Sequence, residues 1–328
     1  MIGYSLVKNT NAYKIFLGDK NKGTLSHAYL IVCEDENYLE NYLKVFAKTL
    51  ICESETPCNT CRACKLIENK LHTDVLFYPL GKKIVVSDVD DIIEKSYLKP
   101  LESDKKVFVL NNVSSMNAQA QNKLLKTLEE PPKNTYIIMG TTSIYPLLST
   151  VLSRCKRLDI LPFSEEELLS ETKNLFEDEE RLQTAVRLSG GKLGEVLSRY
   201  ESGKGDVAEN LALEVLLNLK TSADVIKYAN KIDKTMLNDF ISSLFKIVEL
   251  AIGNSVGSVK KVPKRLQEKI DEITKITSVG ALVFISDKIR VAEKANFYNG
   301  NLNSVVDGLL LGIVEGRYKY GKDSRRQV

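Results

Sequence analysis

Tryptophan is absent from the 328-residue chain, and histidine occurs only at His27 and His72. A mechanism that needs several imidazoles is thereby disfavoured. No apolar run approaches the ~20 residues of a membrane-spanning helix. The N-terminal MIGYSLVKNTNAYK lacks the apolar core of a secretory signal. A cytoplasmic chain with no membrane association is expected. Charge of one sign is lacking too: 46 lysines and arginines stand against 43 aspartates and glutamates, a formal +3. So even a balance neither predicts nor excludes nucleic-acid contact. At 43% hydrophobic residues the chain is not disordered. Its length exceeds one ordinary domain of ~100–200 residues, and two or three domains follow.

Short apolar runs alternate with helical patterns over the first 160 residues. Residues 28–32 (AYLIV), 75–80 (VLFYPL), 107–110 (VFVL), 136–139 (YIIM) and 157–160 (RLDI) read as strands. They lack in–out alternation, as strands covered on both faces do. A helix is expected after Ser87, with Asp90 at its third position, ending before Pro100. Another spans 118–130, with Leu124, Leu125 and Leu128 on one face and Pro131–Pro132 as its stop. Strand alternating with helix predicts a mostly parallel sheet with helices on both sides. Ser164 to Glu167 is a capping box, with Phe163 and Leu168 placed as its hydrophobic staple. No strand is expected beyond it. Residues 201–206 read as a linker, and 207–318 as about five amphipathic helices, including 234–252 and 278–297. A break at 299–301 precedes a last helix at 302–316. The basic tail (Arg317, Lys319, Lys322, Arg325, Arg326) reads as a solvated, frayed end.

Six cysteines are present, and Cys52, Cys58, Cys61 and Cys64 form C-x5-C-x2-C-x2-C. In a cytoplasmic chain such clustering points to metal rather than disulfides. Two overlapping C-x2-C steps let a short loop bring three thiolates to one ion, and the preceding helix end supplies the fourth. The set suits a structural zinc ion, because a closed four-thiolate shell leaves no open position for substrate. Four reduced thiols without metal is the plainer alternative. His72 is a candidate substitute ligand; Cys33 and Cys155 fit no ligand spacing.

These cysteines sit between a first strand–helix unit and a second strand, which resembles the zinc module of bacterial clamp-loader ATPases. SHAYL at 26–30, NKLLKTLEEPP at 122–132, Thr141-Thr142 after a strand and Ser153-Arg154-Cys155 follow in that family's order. Together they cover residues 26–160. The resemblance is to the AAA+ clamp-loader subunits of DNA polymerase III. It implies an AAA+ α/β domain at 1–160, with a parallel five-stranded sheet and a zinc module at 52–64. A small helical lid at 161–202 and an all-α C-terminal collar at 203–328 are implied after it.

The departures from the family are specific. A phosphate-binding loop needs glycines, a lysine and a Ser/Thr. Residues 33–40 (CEDENYLE) contain no glycine. Aligned on the flanking strand and on Phe46-Ala47-Lys48, Leu39 takes the lysine position and Glu40 the Ser/Thr position. Glu34, Asp35, Glu36 and Glu40 are expected to repel a triphosphate by a few kcal/mol per close pair. Asn111 and Asn112 fall where the family's ATPases carry acidic residues, and Gly194 where they carry a second-sensor arginine. Arg154 survives, at the arginine-finger position that acts in trans on a neighbour's ATP. The pattern resembles the delta-prime branch of the family, which binds no ATP. The nucleotide site is read as degenerate at Cys33, Leu39 and Glu40. The implied partners are gamma/tau-type ATPase subunits and a delta-type subunit in a pentameric ring, with the sliding clamp and primed DNA reached through that complex. No bond-making chemistry of the chain's own is expected. Two alternatives stay open: an active gamma/tau-type ATPase, and a zinc-stabilised scaffold unrelated to replication. Lys123 and Lys126 read as a solvated helix face.

Overall fold

The computed structural model describes residues 2–202, 204–257, 264–297 and 300–321. The chain divides into two compact units, one of residues 1–175 and 190–195, the other of 176–189 and 196–328.

The first unit opens with two helices not read from the sequence, α1 (Tyr4–Asn9) and α2 (Asn11–Lys22). There follow β1 (Ala28–Cys33), α3 (Leu39–Ile51), α4 (Arg62–Glu68), β2 (Val75–Tyr78), α5 (Val86–Ser96), β3 (Lys106–Leu110), α6 (Ala118–Glu129), β4 (Thr135–Thr141), α7 (Ser149–Leu152), β5 (Lys156–Ile160) and α8 (Glu165–Thr172). All five strands are parallel, in the order β2-β3-β4-β1-β5. β1 and β3 are almost continuously buried, as their unbroken apolar runs require. β5 departs from the expectation: it is an edge strand that exposes Lys156, Arg157 and Asp159 and buries Leu158 and Ile160. Charge on an exposed edge discourages pairing with another chain. On one face, Leu30, Phe108, Leu110, Ile137 and Met139 pack with Val89, Ile92, Leu124 and Leu128 of α5 and α6. On the other, Tyr13 and Phe16 of α2, Tyr29 of β1 and Phe46 of α3 meet edge-to-face.

α5 begins two residues earlier than its sequence suggests. Its N-cap is Val85, and Asp88, not Asp90, accepts from the Val85 N–H at 3.0 Å. Valine offers no capping oxygen, so the third-position carboxylate alone marks this start. The Ser164–Glu167 box forms as read, and Phe163 and Leu168 are both buried.

In the second unit lies α9 (Glu179–Leu188); α10 (Leu193–Ser202) crosses the boundary. Among the described residues six further helices follow: α11 (Lys204–Asn218), α12 (Ser222–Ala229), α13 (Leu237–Ser255), α14 (Lys264–Ile276), α15 (Val279–Phe297) and α16 (Leu302–Tyr320). The expected linker at 201–206 is helical up to Ser202 and again from Lys204; Gly203 lies outside the described residues. Asn301 caps α16 by accepting from the Ser304 N–H at 3.2 Å, and Asn299 of the expected break also lies outside the described residues. Arg317 corrects the frayed-end reading. Its guanidinium donates to the carbonyls of Leu219, at 2.6 Å, and Leu216, capping the C-terminal end of α11. Lys322, Arg325 and Arg326 lie outside the described residues. No helix among the described residues is long and apolar enough to cross a membrane.

Candidate functional site

Parallel α/β sheets present their ligand crevice beyond the carboxyl ends of the strands, where the strand order reverses. Here that place lies beyond β1, between β4 and β5, and residues 34–38 follow β1 directly. Cys33 ends β1 with its thiol pushed up to about 12 by burial. Asp35 turns inward and is only 3% exposed. Its carboxylate accepts from the Gly194 N–H at 2.8 Å and from the Tyr42 hydroxyl at 3.2 Å. Burial pushes the Asp35 carboxyl up, against these hydrogen bonds. Leu39, at the position where the family has its lysine, is fully buried. Gly140 of β4 lets it in: a Cβ there would stand 3.1 Å from Leu39 Cγ and 2.7 Å from Leu43 Cδ1. Glu40 pairs with Lys70 at 2.7 Å and Lys44 at 3.9 Å.

Gly194 completes the closure. A Cβ on it would lie 2.5 Å from Asp35 Oδ1, 2.8 Å from Asn37 Cβ and 3.0 Å from the Tyr38 nitrogen. No side chain, arginine included, fits there while the loop keeps this shape. Asn37 also donates to Glu195 at 3.0 Å, and the Tyr38 and Tyr42 rings stack edge-on, with Phe163 behind them. The sequence pointed to repulsion by four acidic residues. In the structure both hydrogen bonds to Asp35 fall on Oδ2 while its buried Oδ1 has no hydrogen-bond partner, and Glu40 is paired with Lys70 and Lys44.

Directly after β3, Asn111 keeps its side-chain Oδ1 buried without a hydrogen-bond partner. Asn112 follows β3 in the left-handed region, φ 55°, and donates to Glu36 at 3.3 Å. The buried Thr141 hydroxyl donates to the Ser143 carbonyl at 2.6 Å. Lys123 pairs with Asp90, and Lys126 stays exposed, as a solvated face would have it.

Arg154 stands elsewhere, between α7 and the edge strand β5. Its guanidinium reaches the Thr150 carbonyl at 2.9 Å and forms an ion pair with Glu129, at the end of α6, at 2.6 Å. Both side chains remain partly open to solvent.

The third cluster is the cysteine set. Cys52 follows α3, Cys58 lies in the loop, Cys61 is the N-cap of α4 and Cys64 sits in its first turn. Their four Sγ atoms lie within 4.8 Å of one another, with Cys58 and Cys64 at 4.0 Å. A tetrahedral zinc about 2.3 Å from each sulfur would set neighbouring sulfurs about 3.8 Å apart, so the residues fit the ion. The Cys61 N–H points at Cys58 Sγ at 3.3 Å, and the Cys64 N–H at Cys61 Sγ at 3.4 Å. The Cys61 and Thr60 N–H groups pull the Cys58 thiol down to about 5, whereas burial pushes Cys64 up. His72 is not part of the set: its Nδ1 accepts from the Asp74 N–H at 3.1 Å. Cys155 stands apart too, its thiol pushed up to about 12 by burial.

Asp74 carries a second structural duty. Fully buried, it gathers the N–H groups of Leu101, Glu102 and Ser103 at 2.7, 2.7 and 2.9 Å. Glu102 in turn pairs with Arg62 of α4 at 3.0 Å, joining this loop to the cysteine module.

Residues 8–164 match the family profile described as DNA polymerase III, delta subunit. DNA polymerase III subunit tau of Bacillus subtilis (strain 168) is 30% identical over 276 residues, covering 83% of this chain and 45% of tau. Subunit delta' of the same organism is 35% identical over 152 residues, covering 45% of this chain and 46% of delta'. The chain spans about half the length of these curated relatives. Among solved structures, a DNA polymerase III gamma-subunit-related protein of Thermotoga maritima superposes with a TM-score of 0.46 at 16% identity, covering 92% of this chain and 99% of that one.

Proposed function

The chain belongs to the bacterial DNA polymerase III clamp-loader family, and from that premise we propose that it is a delta-prime-like subunit that binds no ATP. The observation that carries the reading is the closed crevice, with Asp35 bonded to Gly194 where a nucleotide would enter. In this reading Arg154 serves a neighbouring subunit's ATP. The edge strand β5 offers it an open side of the sheet, and a guanidinium can stabilise the charge that builds on a transferring phosphoryl group. Glu129 holds it in the meantime. The four cysteines take a structural zinc ion, which when bound cross-links the loop to the ends of α3 and α4. The AAA+ domain, lid and collar assignments belong to the same proposal. So does the ring with gamma/tau-type and delta-type subunits that loads the sliding clamp onto primed DNA.

The test is a loader reconstituted with Arg154→Ala in this chain alone. Assembly and folding should be intact. The clamp- and DNA-stimulated ATPase should fall, and clamp loading should slow, with one site silenced rather than all. Fingers measured elsewhere supply about 10³–10⁵ in rate at their own site. Unchanged ATPase and loading rates in a confirmed assembly would make Arg154 a plain surface arginine.

The tau relative matches over 83% of the chain, which favours a second reading as an active ATPase. Calorimetric titration of the isolated chain with Mg-ATP separates the two. No heat of binding at millimolar nucleotide is expected; a saturable micromolar site would select the ATPase reading.

A further inference from the structure

We propose that Lys48 is the positioning residue of the cysteine site, a buried ammonium that holds together the three stretches of chain carrying the four thiols. The inference rests on reading those cysteines as metal ligands. Lys48 lies on α3 one turn before Cys52, and the Cys52 N–H donates to its carbonyl at 2.8 Å. Ligand and lysine therefore share the last turn of one helix. The Lys48 side chain is 2% exposed, and its Nζ meets Asn59 Oδ1 at 3.1 Å and Glu68 Oε2 at 2.6 Å.

Those two partners belong to the other two stretches. Asn59 lies between Cys58 and Cys61 in the left-handed region, φ 58°. Glu68 ends α4, the helix that Cys61 caps and that carries Cys64. One ammonium thus ties the end of α3, the loop turn and the far end of α4.

A buried cation is costly unless it is paired and hydrogen-bonded. A leucine or methionine would fill this inward face of α3 without that cost, so the hypothesis of simple packing leaves the charge unexplained. Two consequences give it a purpose. The turn is held in shape before any ion arrives, so less order has to be created on binding. Four thiolates around a divalent ion also leave a net negative charge, which nearby cations offset. Lys20 adds a second ammonium on the other side of the loop, 3.5, 3.2 and 3.3 Å from the carbonyls of Cys52, Ser54 and Glu55. Groups that orient metal ligands from outside the coordination shell typically change affinity by about 10–100-fold.

The experiment uses the full-length chain, stripped of metal under reducing conditions and titrated with Co²⁺. Thiolate-to-cobalt absorption reports affinity, d–d bands report geometry, and zinc release to a chelator reports the off-rate. K48M should weaken cobalt binding by about tenfold or more and speed zinc release. The tetrahedral bands should keep their positions, since all four thiols remain. Far-UV circular dichroism of the zinc-loaded variant should match wild type. N59G allows the positive φ and removes the oxygen that Lys48 holds, together with the amide that donates to the Pro57 carbonyl at 3.4 Å, so it should shift affinity in the same direction by a smaller factor. K48M with wild-type cobalt affinity and zinc release overturns the inference and leaves the metal reading intact. A wild-type chain that takes up no cobalt overturns both. Should K48M fail to fold, N59G decides: wild-type affinity in that variant overturns the tether.

Discussion

At Gly194 the requirement for glycine is steric. The nearest obstacles to a Cβ are Asp35 Oδ1, Asn37 Cβ and the Tyr38 backbone nitrogen, the last of which cannot swing aside. Gly194→Ala should therefore destabilise the first unit by about 1–3 kcal/mol, the usual cost of forcing a methyl into a filled site. Alanine ordinarily favours a helix over glycine, so this variant reverses the sign expected from helix propensity. Thermal or urea unfolding of the zinc-loaded chain measures it; a neutral or stabilised variant would mean that the loop yields freely. The sequence announced the absence of glycines at 33–40 and of an arginine at 194. It did not announce that the two segments touch, because the bond between Asp35 and Gly194 joins residues 159 apart and leaves no local pattern.

At the scale of elements, the loop that follows α5 depends on the Asp74 carboxylate. Burial alone would raise its pKa, but the N–H groups of Leu101, Glu102 and Ser103 outweigh that and hold it below the usual range. A lowered folded-state pKa gives stability that is present above the unfolded value of about 3.9 and lost as pH falls through the folded one. Asp74→Asn replaces one accepting oxygen with a donor and should cost about 2 kcal/mol at pH 7, within the range for hydrogen bonds to a charged group. The gap between variant and wild type should narrow below about pH 4. Parallel urea titrations at pH 7 and pH 3.5 test this; a pH-independent gap would assign the effect to packing. Elements were legible wherever burial was continuous: β1 and β3 are unbroken apolar runs, and α6 ends at Pro131–Pro132 as read. They were not legible where the signal was a single carboxylate, as at Val85–Asp88, or where a long-range cap such as Arg317 replaced the local one. The four-cysteine spacing was legible because thiols in a loop need no distant partner to be recognised.

For the whole molecule, the second unit keeps apolar side chains in solvent. Val283 of α15 is 48% exposed and Leu311 of α16 is 46% exposed, while Leu282, Ile285, Leu310 and Ile313 beside them are buried in the unit's core. Exposed apolar groups scattered singly need no explanation. Under the ring proposal, however, they are natural contacts for a neighbouring subunit. Val283→Asp combined with Leu311→Asp should leave the isolated chain within about 0.5 kcal/mol of wild type, as surface substitutions usually do. It should also weaken association with the ATPase subunits, read as loss of co-elution. Undiminished co-elution would move the contact away from α15 and α16.

The bond between Asp35 and Gly194 also constrains the mutational routes open to this chain. Arginine at 194 clashes with the loop as long as Asp35 occupies its present place. Glycines introduced into the loop alone would abandon the Gly194 N–H, leaving a donor with no acceptor. Each single step toward a nucleotide pocket is therefore unfavourable by itself, and only the joint change escapes both penalties. In a double-mutant cycle, Asp35→Gly and Gly194→Arg should be strongly epistatic, with a coupling within the roughly 0.5–3 kcal/mol seen for residues in contact. Under the proposed reading the contact between Asp35 and Gly194 is thus a ratchet, which would keep a site without nucleotide in that state with no further selection.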